Sequence, residues 1–73
     1  MPKRYTAKQV LKALHRLGFS EVTQNGSHLK VRGIRGGTLQ TAIIPMHHEV
    51  AIGTLSSILR QANVTKQELE DNI

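Results

Sequence analysis

Seventy-three residues allow one small domain, expected to span residues 1–73, with no room for a second core. The absence of cysteine excludes a disulfide staple, a thiol nucleophile and a cysteine zinc site. Ten Lys and Arg against five Asp and Glu give a net charge of +5, which calls for an anionic partner.

No apolar run approaches the roughly 20 residues that cross a bilayer, and Lys3-Arg4 is followed by no apolar stretch. A soluble cytoplasmic protein with no membrane partner is expected. The cations are unevenly placed. Lys3, Arg4, Lys8, Lys12 and Arg16 precede any acid, whereas Glu49, Glu68, Glu70 and Asp71 lie in the last third. Tyr5 and Phe19 are the only aromatic residues, too few to build a base-stacking platform, so contacts to phosphate and groove shape are favoured.

Thr6 begins the first predicted helix, three residues before Gln9, the spacing of a capping box. Val10, Leu11, Leu14 and Leu17 form one apolar stripe, and Gly18 suits the left-handed closing residue. Lys8, Lys12, His15 and Arg16 occupy the opposite face. Like charges at this spacing repel, which marks the face as one that meets an anion.

Glu21 to Gln24 and His28 to Arg32 read as two strands around an Asn25-Gly26 turn, a strong hairpin signal. In the second, Leu29 and Val31 point to the core while His28, Lys30 and Arg32 share the other face. Gly33 to Gly37 reads as a turn with Arg35 at its tip, and Thr38 to Ile44 as a third strand stopped by Pro45. A second helix is predicted from Gly53 or Thr54, with Leu55, Ile58, Leu59 and Ala62 as its stripe, ending at Asn63. Thr65 to Glu68 repeats the capping-box pattern and begins a short frayed turn towards Ile73. The predicted fold is α+β, in the order α-β-β-β-α, with both helices on one face of a three-stranded antiparallel sheet.

Carboxylates converging on one point, as a two-metal nuclease requires, are not available outside the C-terminal cluster. His47-His48-Glu49 is a poor metal motif because adjacent side chains of an extended segment diverge, so no metal and no cofactor are expected. The remaining inventory is histidines and cations. His28 stands next to a tight turn, on an exposed strand face with Lys30 and Arg32. A neutral imidazole there could take the proton of a ribose 2′-hydroxyl, and the two cations could hold the phosphate under attack. Against this stands an ordinary surface histidine beside a hairpin. Gly26 and Ser27 are turn residues first, and phosphate contacts second. His47 is a second acid/base candidate, and Lys8, Lys12 and Arg16 a track for RNA. A non-catalytic module for structured RNA, or a partner of an acidic protein, fits the same residues.

Gly26-Ser27-His28, Ile44-Pro45-Met46-His47, and Gly53-Thr54-Leu55 followed by Ile58 to Ala62, together with the helix ending in Leu17-Gly18-Phe19, resemble the HicA toxins of bacterial toxin–antitoxin pairs over residues 5–69. The resemblance implies a fold like the double-stranded-RNA-binding domain and an mRNA interferase that cleaves mRNA and halts translation until a HicB-type antitoxin covers it. It also implies that His28 is the catalytic histidine, with His47 matching the P-x-H histidine. Two positions depart from the pattern: Val50-Ala51-Ile52 has no lysine, and Asn63 stands where a Gly is common.

Overall fold

The computed structural model describes residues 4–73, so Lys3 of the basic segment lies outside the described residues. Helix α1 spans Ala7–Arg16. Thr6 Oγ1 accepts the Gln9 N–H at 3.1 Å and Gln9 Oε1 accepts the Thr6 N–H at 2.9 Å, so the capping box is complete. The helix closes through Gly18, at φ +99°: Phe19 N–H donates to Leu14 O at 2.9 Å and Gly18 N–H to His15 O at 3.1 Å. This is the six-to-one and five-to-two pattern of a Schellman ending, and it turns the chain into the sheet.

Strands β1 (Ser20–Asn25), β2 (His28–Arg35) and β3 (Thr38–Pro45) form an antiparallel sheet in that order. Leu29 and Val31 of β2 and Ala42 and Ile44 of β3 are buried against Val10, Ala13 and Leu14 of α1. Leu55, Ile58, Leu59 and Ala62 of helix α2 (Ile52–Ala62) complete that layer. Every residue of β1 is exposed, and a bulge at Val22 shifts its register against β2. The helices therefore cover one face of β2 and β3 only. At the other edge, Gln61 Oε1 accepts the Ile43 N–H at 2.9 Å, so α2 also seals the outer side of β3.

Three local expectations are corrected. The first turn is Gly26-Ser27, with positive φ at Gly26 alone (+62°), the type II′ arrangement; Asn25 stays in the strand opposite His28. The second turn contracts to Gly36-Gly37, at φ +59° and +77°, because β2 continues to Arg35. Gly33 serves a close approach instead of a turn: a Cβ there would lie 2.9 Å from Phe19 Cγ. The C-terminal segment is not frayed. Thr65 and Glu68 form a second complete capping box on helix α3 (Lys66–Asp71), and Leu69 is fully buried. Arg35 donates to Glu68 and to Asn63 O, so the hairpin end is tied to α3. Asn63 takes the left-handed conformation (φ +56°) that asparagine tolerates next best to glycine, and Val64 N–H closes α2 on Leu59 O at 3.0 Å.

Candidate nucleic-acid interface

His28 is the first residue of β2, between Asn25 of β1 and Pro45 of β3, and its side chain is exposed. The strand alternation places Lys30 and Arg32 on its face, away from the helices. Their distances along the strand differ in consequence. Lys30 is about 7 Å from His28 and Arg32 about 13 Å, at 3.3 Å of rise per residue. Arg32 is also held in place, its Nε donating to Thr41 Oγ1 at 3.2 Å. Lys30 is thus the cation nearer His28, and Arg32 stands one step further along the same strand face.

The turn before His28 is fastened to the chain that carries His47. Met46 N–H donates to Ser27 O at 2.6 Å, extending the β2–β3 pairing by one step past Pro45. His47 and His48 then line a hollow of about 240 Å³ with Thr6, Ala7 and Lys8 from the start of α1. Lys8, His47 and the Ser27-His28 turn therefore lie at one end of the molecule, although they are up to 39 positions apart in sequence. Nothing in the periodicity of either segment foretells this hollow, because it depends on the Tyr5–Val50 bridge, whose Val50 N–H donates to Tyr5 O at 2.8 Å.

The other expected contacts separate. Val10, Ala13 and Leu14 face the core, so Lys8, Lys12 and Arg16 lie on the far side of α1, whereas Lys30 and Arg32 lie on the far side of the sheet. These are opposite surfaces of a molecule 18 Å across in its shortest dimension. Arg16 is drawn to the C-terminus, donating to Asn72 O at 3.2 Å, and His15 approaches Glu21 at 3.2 Å. Both rings expected to be scarce for stacking, Tyr5 and Phe19, are buried.

The charge balance is sharper than the sequence suggests. All five carboxylates have an internal partner: Glu21 with His15, Glu49 with Arg4, Glu68 with Arg35, Glu70 with Tyr5 and Asp71 with Gln67. Among the described residues Lys8, Lys12, Lys30, His28 and His47 have no such side-chain partner. No group of three His, Asp or Glu side chains among the described residues comes together to hold a metal, and no described helix is long and apolar enough to cross a membrane.

A helix, an open three-stranded antiparallel sheet and two further helices, with an exposed histidine and lysine at one sheet end, make a small basic α+β module. Residues 7–64 match the family model described as HicA toxin of bacterial toxin-antitoxin. The chain belongs to the HicA toxin family, and membership implies an antitoxin partner. No curated protein matches the chain.

Proposed function

We propose that this protein is an endoribonuclease that cleaves mRNA and stops translation, with His28 as general base and a HicB-type antitoxin as its restraint. The observation that carries the reading is the exposed, unpartnered His28 at the head of β2, fastened through Ser27 O to the segment that carries His47. Imidazole takes the 2′-hydroxyl proton, the 2′-oxygen attacks the adjacent phosphorus, and the bond to the 5′-oxygen breaks. His47 supplies the proton that the leaving 5′-oxygen needs. Lys30 stabilises the charge that develops on the phosphate, and Arg32 holds its neighbour. The backbone of Gly26 and Ser27 lets the RNA approach closely. Lys8, beside His47, is the link to Lys12 and Arg16, so the strand wraps the end of the molecule to touch both basic faces.

Purified wild-type and His28→Ala protein incubated with labelled RNA in EDTA test this directly. Cleavage by wild type alone, leaving 2′,3′-cyclic phosphate ends, is expected. Cleavage that persists in His28→Ala, or that EDTA abolishes, overturns the mechanism. RNA that is bound but left intact by wild type assigns the chain to the non-catalytic, structured-RNA-binding alternative.

A further inference from the structure

The face of the sheet turned away from the helices changes character along its length. At one end it is the basic surface of His28, Lys30 and Arg32. At the other, Ile34 and Leu39 stand directly opposite each other in the β2–β3 register, 68% and 58% exposed. These are the two most exposed large apolar residues described, and they form one aliphatic pair across adjacent strands. None of the five acidic residues lies on this face; Glu21, the only one in the sheet, pairs with the buried Val31 position. An aliphatic centre with a cationic flank and no acid is complementary to a protein surface whose apolar side chain is flanked by carboxylates. RNA offers phosphates for the flank but gains little from an Ile–Leu pair that has no ring for a base to stack on.

We propose that this face is the docking surface for the antitoxin, with Ile34 and Leu39 as the anchor and Lys30 and Arg32 as the receivers of its carboxylates. The anchor lies beyond the proposed catalytic end. Neutralisation then combines two separable acts: grip at the Ile34–Leu39 end, and exclusion of phosphate from Lys30 beside His28. Only the second act rests on the ribonuclease reading.

The test is the double variant Ile34→Ser, Leu39→Ser, titrated against the purified HicB-type antitoxin of the same pair by calorimetry, alongside RNA cleavage and thermal melting. Affinity for the antitoxin is expected to fall by about 30-fold or more, the loss typical of removing an interface anchor, with cleavage rate and melting midpoint unchanged. If the double variant does not fold, Ile34→Thr and Leu39→Thr taken singly carry the same comparison. Unchanged antitoxin affinity overturns the proposal, as does loss of RNA binding in its place. Self-association of the wild type that the double variant abolishes also overturns it, because a second copy would then take the patch. Wild type that never cuts RNA defeats the ribonuclease reading alone, since the affinity loss is read without it.

Discussion

Among the described residues Tyr5 is the one titratable side chain buried in the core, and it links stability to alkaline pH. Its hydroxyl donates to Glu70 Oε2 at 2.6 Å. That hydrogen bond, then burial, then the Glu70 charge push the phenol up from 10.0 to about 12. A folded-state value above the unfolded one means that folding favours the neutral phenol. The contribution is fully present below pH 10 and is lost as pH rises through 12. Tyr5→Phe is expected to cost about 1 kcal/mol at neutral pH, the usual worth of one hydrogen bond. Denaturant titrations across the alkaline range should show the gap between wild type and variant closing in that window; a constant gap would refute the linkage. At His28 the expectation is reversed. His28→Ala, at an exposed site, should leave stability within about 0.5 kcal/mol while activity disappears.

At the scale of elements, glycine and capping residues decide what was readable beforehand. Both capping boxes are visible in the chain because their chemistry is local, a hydroxyl and an amide three residues apart. Gly33 is not readable in that way. A glycine marks a turn or a close approach equally well, and its neighbour Phe19 is 14 positions away, so the sequence ends β2 at Arg32 whereas the strand continues to Arg35. Gly33→Ala is expected to lower stability by about 1–3 kcal/mol in denaturant melts, because the Phe19 ring would have to shift from a 2.9 Å contact. The same blindness hides the docking of α3. Glu68 is held below the usual carboxylate range by the Thr65 backbone N–H and then by Arg35. Its folded-state value is depressed, so its contribution is present above about pH 4.5 and is lost as pH falls through the folded value. Glu68→Gln should therefore flatten the acid limb of the stability curve, measured as melting midpoint against pH. An acid limb identical to that of wild type would show that the Glu68 carboxylate does not help to hold α3.

Across the whole molecule, the net charge was legible but its geometry was not. A basic N-terminal third and an acidic tail suggest two poles. Folding instead brings the acids onto internal partners, including the α3 carboxylates of Glu68 and Glu70, and divides the cations between two outward surfaces. The alternation in β2 correctly places His28, Lys30 and Arg32 together, since period-two patterning is a property of the strand itself. The joining of Lys8 to His47 is a long-range event and left no local trace. If RNA crosses from one surface to the other around this end, Lys8→Ala with Lys12→Ala should weaken RNA retention and reduce the slope of log affinity against log salt by about 1.5. An unchanged slope would confine RNA to the sheet.

Gln61 gives α2 a second task beyond filling the core. By occupying the Ile43 N–H it denies a foreign strand its first rung along β3, while the Val22 bulge distorts the opposite border at β1. In a chain of this size, with aliphatic residues open to water beside that border, such blocking opposes the pairing of one sheet edge with another. Gln61→Ala is the change expected to undo that protection, seen as thioflavin-positive fibrils growing from protein that remains folded when freshly purified.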